Sequence, residues 1–153
     1  MENRFEANIL LCEKIVGDNS FEGLFNNIDI EGKKNNKPPF DIGIFLTADI
    51  VECKKETFLL DIIYKDCEDE NTIPTNILGS LERDYDQLGV NRELCVLKKN
   101  KVDFLWEGMY TLELRHCKDC IDINEKTVEE MESVISESEV INSFTFSVTL
   151  KKQ

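Results

Sequence analysis

The segment from His116 to Cys120 contains the residue pattern closest to known site chemistry. Cys117 and Cys120 have the C-x-x-C spacing with which two thiolates bind one zinc ion, and His116 or Cys67 is a candidate further ligand. A structural zinc site needs four ligands, and the sequence has no second C-x-x-C pair. The pattern favours ordinary reduced cysteines at the end of a strand, with zinc binding as the alternative.

A second set of candidate ligands is acidic. Residues 66–70 read Asp-Cys-Glu-Asp-Glu, and Asp119 and Asp122 follow later in the chain. Calcium takes about six to eight oxygen ligands, and calcium-dependent sandwiches present such aspartates on loops at one end. The spacing does not match an EF-hand loop. We therefore interpret the run as a solvated loop, with calcium binding as the alternative.

The sequence offers little for hydrolytic or phosphate chemistry. His116 is the only histidine, so any catalytic triad or histidine relay would have to be built around it. There is no G-x-S-x-G motif, and the seven glycines are dispersed rather than gathered in a phosphate-binding loop. With 31 acidic residues, any choice of a catalytic carboxylate pair is arbitrary. An enzyme with an unrecognised carboxylate site remains a third hypothesis.

The charge and the N-terminal residues restrict the partners and the compartment. A formal net charge of −13 repels a nucleic-acid backbone and an anionic membrane, so we expect no nucleic acid and no membrane as a partner. Residues 1–15 do not read as a signal peptide, and no apolar run is long enough for a spanning helix. We predict a cytoplasmic protein with six reduced cysteines.

Alternating hydrophobicity predicts the elements that position these residues. Tyr110, Leu112 and Leu114 alternate with polar residues, and Phe144 to Leu150 do the same, so both segments are predicted as antiparallel neighbours facing one core. Tyr110 and Trp106 are both expected in that core, with the Tyr110 hydroxyl bonded to backbone at a corner of the sandwich. About seven strands are predicted, over residues 5–14, 20–30, 42–51, 57–65, 93–99, 104–115 and 143–151.

These strands predict a mainly β fold, a single antiparallel β-sandwich over residues 1–153. One helix is expected from Thr127 to Ser138, because Thr127 and Glu130 have capping-box spacing and the apolar positions share a face. We expect it to lie against the sandwich edge, within a helical insertion, 117–142, between the last two strands. The connection 66–92 is expected to be irregular, with a helical turn around 77–85.

Three further segments carry a family resemblance. They are Ile-Leu-Leu-Cys-Glu at 9–13, Phe-Glu-Gly-Leu-Phe-Asn-Asn-Ile at 21–28 and Trp-Glu-Gly-Met-Tyr at 106–110. They resemble a family of small uncharacterised bacterial proteins that is catalogued as a domain of unknown function. The resemblance implies an immunoglobulin-like or C2-like sandwich and brings no activity, cofactor or catalytic residue. It also implies that family members join the last two strands directly, where this chain has the insertion 117–142.

Without a reaction centre in the sequence, we expect a non-enzymatic interaction or scaffold domain with a protein partner. A zinc-binding module at Cys117 and Cys120 is the second hypothesis.

Overall fold

The computed structural model describes residues 2–16, 20–31, 39–65, 72–100, 102, 104, 106–118 and 127–151. The chain forms, in order, β1 (Arg4–Val16), β2 (Ser20–Leu24), β3 (Asn27–Glu31), β4 (Phe40–Ile50), β5 (Lys55–Lys65), β6 (Thr72–Asp84), β7 (Gly89–Asn100), β8 (Gly108–Cys117), α1 (Val128–Glu137) and β9 (Glu139–Lys151). The ten-residue helix α1 is too short to cross a membrane, and this part of the chain contains no other candidate span.

The strands form two sheets that face each other across an apolar core. Sheet A has the order β2-β1-β4-β7, and sheet B has the order β3-β9-β8-β5-β6. Strands that follow each other along one sheet run antiparallel, except that β3 is parallel to β9. The prediction of a mainly β, two-sheet fold is confirmed. The described residues contain nine strands rather than about seven, and the pairing is not purely antiparallel.

The two extra strands come from two errors in the prediction. Residues 20–30 form two strands in different sheets, because the chain crosses from sheet A to sheet B at Phe25 and Asn26. The Phe25 N–H donates to Leu11 O of β1 (3.1 Å), whereas Asn26 O accepts from Ser147 N of β9 (3.0 Å). The second error concerns residues 72–84, which form the edge strand β6 instead of an irregular connection with a helical turn.

Alternate residues of both sheets fill the core. Ile44 and Leu46 of β4 face Phe58 and Leu60 of β5, and all four are almost fully buried. The predicted pairing of β8 with β9 is confirmed. Tyr110 lies opposite Phe146, and both are 1% exposed; Leu112 and Val148 are buried as well.

A buried carboxylate, Asp41, links the three strands β1, β4 and β7 near one end of sheet A. Asp41 of β4 is 6% exposed and accepts two backbone hydrogen bonds, from Ile15 N to Oδ2 (2.8 Å) and from Lys99 N to Oδ1 (2.9 Å). Lys99 has a φ of +55°, beside a register shift between β4 and β7. Asp41 therefore satisfies amides of both neighbouring strands where the regular ladder is interrupted.

Side chains close the sandwich along both of its sides. On one side, Asn142 of β9 donates through Nδ2 to Ala7 O of β1. On the other side, Arg83 of β6 forms an ion pair with Glu93 of β7 (3.0 Å) and donates to Cys95 Sγ (3.1 Å). These contacts link sheet A to sheet B where no strand ladder joins them.

Helix α1 has the predicted bounds to within one residue. Thr127 is its N-cap, and Thr127 Oγ1 accepts from Glu130 N (3.2 Å). The helix lies against β8 rather than against a sheet edge, because Arg115 Nη1 donates to Ile135 O (3.2 Å) and β8 is the central strand of sheet B. Strand β9 begins at Glu139, so the last four residues of the predicted insertion 117–142 are strand.

Candidate functional site

The only histidine is part of a hydrogen-bond network at one end of the sandwich. His116, near the end of β8, contacts Glu56 Oε2 of β5 through Nε2, and Glu56 is only 3% exposed. Asn3 donates to Glu56 Oε1 (3.0 Å), and Lys54 Nζ lies 3.8 Å from the same oxygen. The ring of Phe5 packs beside the imidazole, with the ring centroids 4.7 Å apart.

This network has two of the three parts of a catalytic relay, a histidine and a buried carboxylate that orients it. The third part would be a hydroxyl or thiol hydrogen-bonded to the ring. Among the described residues, the polar partner of His116 is Glu56 alone. The arrangement therefore ties β8, β5 and the N-terminal segment together, and it supplies no activated nucleophile within the described ranges.

Cys117 follows His116 but belongs to a different environment. Successive strand residues point to opposite faces of a sheet, so the His116 and Cys117 side chains diverge. Cys117 is 2% exposed, and burial raises the pKa of its thiol to about 11, although the positive charge of Arg115 acts in the opposite direction. The metal-free Cys117 thiol is therefore protonated and poorly nucleophilic near neutral pH.

The zinc and calcium hypotheses rest largely on residues outside the described ranges. Cys120, Asp119, Asp122 and residues 66–70 all lie there. Among the residues that the structure does describe, no group of three or more His, Cys, Asp or Glu side chains is placed to hold a metal ion. The zinc site at Cys117, Cys120 and His116 stays a prediction.

A second polar network fixes α1 to the outer face of sheet B. Arg115 forms ion pairs with Asp61 of β5 (Nε to Oδ2, 3.1 Å) and with Glu113 (Nη2 to Oε2, 2.6 Å). The same guanidinium donates to Ile135 O and to Ser138 Oγ at the C-terminal end of α1. Burial raises the pKa of Asp61, and the positive charge of Arg115 offsets only part of that effect. Asp61 and Glu113 thus position Arg115, which contacts the helix, while Asp61 Oδ1 is buried without a hydrogen-bond partner among the described residues.

Exposed apolar side chains gather at the turns beside the His116 network. Leu88 is 68% exposed, Val90 is 56% exposed and Val51 is 39% exposed. In the register of β4 and β7, Ile50 lies opposite Gly89, so Val51 and Leu88 flank the same pair of residues. We call Val51, Leu88 and Val90 the turn surface.

The backbone beneath the turn surface is held in place. The Tyr85 N–H donates to Lys54 O (3.2 Å), which joins the turn after β6 to the turn after β4. Asn3 Oδ1 accepts from the backbone N–H groups of Val51 (2.8 Å) and Glu52 (2.9 Å). The Tyr85 ring is 8% exposed and packs with Ala48 and Ile50. The backbone is therefore held on both sides of Leu88, at Tyr85 and, through the pairing of Gly89 with Ile50, at the start of β7.

Carboxylates surround the turn surface. Glu52, Asp84 and Asp86 are all exposed on the two turns. Lys54 lies in the same region, but its ammonium group forms an ion pair with Glu56 (Nζ to Oε1, 3.8 Å). The turn surface thus has an acidic rim along the two turns, while Arg92 lies on its other side, two residues from Val90 in β7.

The sequence pattern did not predict this surface. Residues 85–90 fell within the connection expected to be irregular. The available signal was Leu88 and Val90 on either side of Gly89, whose φ of +102° and open surroundings are typical of a turn. Large apolar residues beside a turn glycine are candidates for an exposed contact surface.

The opposite end of the sandwich carries an aromatic row. The Tyr110 hydroxyl donates to Trp106 O (2.8 Å), which confirms the predicted bond to backbone at a corner. Trp106 itself is 41% exposed, so the expectation that it lies in the core is wrong. Its indole stacks on Tyr64, with ring centroids 5.1 Å apart, and this stacking needs the open space that Gly108 leaves beside the Tyr64 ring.

Together these observations define a two-sheet β domain with one anchored helix, a histidine–carboxylate network and an exposed apolar surface. No protein-family model matches the chain, and no curated protein matches it. The predicted family resemblance therefore stays a prediction.

Among solved structures, the chain is similar to a hemolymph-type prophenoloxidase (proPOb) from a crustacean, with 8% sequence identity and a TM-score of 0.47. The alignment covers 100% of this chain and 35% of that one, so the chain spans about a third of the length of that protein. Likeness at this level adds nothing to the fold or to the site described above.

Proposed function

We propose that this domain is a non-enzymatic protein-interaction module that binds its partner through the turn surface of Val51, Leu88 and Val90. The observation that carries the proposal is the 68% exposure of Leu88 on turns whose backbone is fixed from below. An exposed apolar group with a polar rim is typical of interaction sites. Burying a leucine side chain contributes about 1.5 to 3 kcal/mol, which suits an anchor residue.

The acidic rim indicates the chemistry of the partner. Glu52, Asp84 and Asp86 favour a partner segment with an apolar residue flanked by Lys or Arg. The net charge of −13 supports a basic partner as well and disfavours nucleic acid and anionic membranes.

The experiment compares two leucines of similar exposure. Leu88 is 68% exposed on the turn surface, and Leu24 is 65% exposed at the end of the edge strand β2. Purified wild-type protein, Leu88→Asp and Leu24→Asp are used as bait against an extract of the source cells. A photo-crosslinking amino acid at position 88, or at position 24, captures proteins that contact each site.

We expect a protein with a basic segment to crosslink at position 88 and not at position 24. Leu88→Asp should lose that protein, Leu24→Asp should retain it, and raising the salt concentration should weaken its binding. Equal retention of the protein by both aspartate variants, or a crosslink confined to position 24, would overturn the proposal.

Two finer properties are also proposals. The immunoglobulin-like or C2-like class of the sandwich is supported by two facing sheets of mostly antiparallel strands. A cytoplasmic location in a bacterium is supported by the free thiols of the four described cysteines, Cys12, Cys53, Cys95 and Cys117.

A further inference from the structure

The outer face of sheet A carries apolar side chains where an antiparallel sandwich usually shows polar ones. Ile44 and Cys95 face the core, so their strand neighbours Phe45 and Leu94, which lie opposite each other, point outward. Phe45 is 38% exposed at the centre of this face, and Phe21 of β2 packs against it with ring centroids 5.7 Å apart.

A glycine extends the apolar area toward one end of the sheet. Gly43 lies between Leu10 of β1 and Val96 of β7 in the strand register. A Cβ at this position would meet Leu10 Cδ1 at 3.2 Å and Ile15 Cδ1 at 3.3 Å, so both side chains lie over the glycine backbone. Leu10, Val96, Leu94 and Phe21 are all only half-buried. The result is a broad, shallow apolar face, and we call it the Phe45 face.

The charges around the Phe45 face are balanced, in contrast to the chain as a whole. Glu6 and Arg92 lie in one row of the register, on either side of Thr47, and both are exposed. Arg4 and Asp49 form a second pair of opposite charge in the next row. The excess of carboxylates that gives the chain its net charge of −13 therefore lies outside this face.

We infer that the Phe45 face is the interface of a symmetric homodimer, in which a second copy of this chain packs sheet A against sheet A. A two-fold axis parallel to the strands, over β4, places β7 of each copy above β1 of the other. The interface then contains two Arg92–Glu6 contacts, one on each side of the axis. Phe45 contacts Phe45 of the second copy, and Leu10 contacts Val96.

The direction of the axis follows from the charges. An axis perpendicular to the strands would place β7 above β7 and bring Arg92 next to the exposed Lys98 of the second copy. That arrangement opposes like charges, which disfavours it. The parallel axis makes two Arg92–Glu6 contacts, and where Asp49 meets Asp49 it places the Arg4 side chains of both copies on either side.

The size of the face sets the strength of the dimer. Three strands, β1, β4 and β7, about 4.8 Å apart and about nine residues long, cover roughly 430 Å² on each copy, because β2 pairs only with the end of β1. The total of about 860 Å² lies below the standard size of stable interfaces and in the range of weak, transient ones. The dimer should therefore be weak and form only at high protein concentration, at a site that adjoins the turn surface at Val90.

The test is sedimentation equilibrium from about 1 µM to 1 mM protein, a range that spans the dissociation constants of small interfaces. About 0.15 M salt screens the repulsion between two negatively charged chains. We expect a reversible monomer–dimer equilibrium for the wild type. Phe45→Glu should weaken it at least tenfold, and Met109→Glu, which has similar exposure (39% against 38%) but lies on sheet B, should leave it unchanged. Circular dichroism and urea unfolding confirm that each variant is folded.

Charge reversal tests the geometry independently of the apolar residues. Glu6→Arg alone and Arg92→Glu alone should each weaken the dimer, and the double variant should restore it. A wild type that is monomeric throughout the range would overturn the inference. So would a double variant as weak as the singles, or an Arg92→Glu variant that dimerises more tightly, as the perpendicular axis requires. These results do not depend on the partner proposed for the turn surface.

Discussion

Three carboxylates are buried among the residues that the structure describes, and each is held by a different kind of group. Asp41 accepts backbone N–H groups, Glu56 contacts an imidazole, and Asp61 pairs with a guanidinium. Buried charges of this kind are retained only with partners, because an unpaired carboxylate in the interior is costly. Their contributions to stability therefore depend on the partner that a substitution removes.

Replacing Asp41 by Asn should destabilise the domain strongly. An amide has one acceptor oxygen, so either Ile15 N or Lys99 N would face an NH₂ group. The loss of one charge-assisted bond, together with a buried orphan donor, should lower the free energy of unfolding by about 2 to 4 kcal/mol. Urea denaturation at pH 7 measures this. Asp49→Asn, at an exposed position of the same strand, is the control and should cost less than about 0.5 kcal/mol. Equal losses would show that Asp41 does not fasten the sheet.

Asp61 should make the domain more stable as the pH falls. Its folded pKa lies above the usual value of 3.8, chiefly through burial, so the folded state binds its proton more tightly than the unfolded state does. Between the raised pKa and about 3.8, the contribution of Asp61 to stability therefore grows with acidification. Asp61→Asn removes this group and leaves the other carboxylates. The difference in unfolding free energy between wild type and Asp61→Asn should shift in favour of the wild type from pH 7 to pH 4. A shift in favour of the variant would mean that the ion pair with Arg115 outweighs burial.

Residue types predicted burial better than they predicted exposure. The alternation around Tyr110 and Phe146 was enough to place both in the core, because one face of a strand must be apolar for the sheets to pack. Trp106 precedes β8, where no alternation applies, and its position depends on stacking with Tyr64 from a distant part of the sequence. The Glu56 partner of His116 could not be predicted for the same reason.

At the scale of elements, the edge strand β6 shows where a sequence pattern fails. Its 13 residues include Pro74 and Gly79, which argue against a central strand. An edge position tolerates both, and β6 pairs with β5 alone, with register shifts at two places. Leu78 and Leu81 still pack against the core. The polar composition that suggested a loop is the composition of a strand with one open side.

The helix was predictable from local rules, since its N-cap and apolar spacing are encoded in adjacent residues. Its docking on the outer face depends on Arg115, which no local rule reveals. Replacing residues 118–137 by Asn-Gly would join Cys117 to Ser138 through a two-residue turn, because His116 already pairs with Glu139.

We expect this shortened protein to keep its β-rich circular dichroism and to lose about 2 to 4 kcal/mol of stability. The loss comes from the apolar area that the half-buried Met131, Val134 and Ile135 cover and from the acceptors of Arg115. Thermal unfolding compared with the full chain measures it. An unfolded or aggregated product would show that α1 is required for the sandwich itself.

At the scale of the whole molecule, the two sheets depend on each other along both sides. Asn142 and Ala7 join them on one side, and Arg83, Glu93 and Cys95 join them on the other. The crossing at Phe25 and Asn26 adds a covalent link between the sheets. These contacts join residues far apart in the sequence, so the domain should unfold as one cooperative unit.

The position of β9 inside sheet B also sets the order of events on the ribosome. Strand β3 ends at Glu31 but pairs with residues 147–151, and β8 lacks its second neighbour until the same segment is made. About 110 residues separate β3 from the start of β9, which corresponds to roughly 5 to 20 s of synthesis. During that time β3 has no strand to pair with, and one edge of β8 has unpaired backbone N–H and C=O groups. Sheet B is therefore completed only after residues 147–151 have been made, and until then the growing chain exposes unpaired strand edges to neighbouring nascent chains.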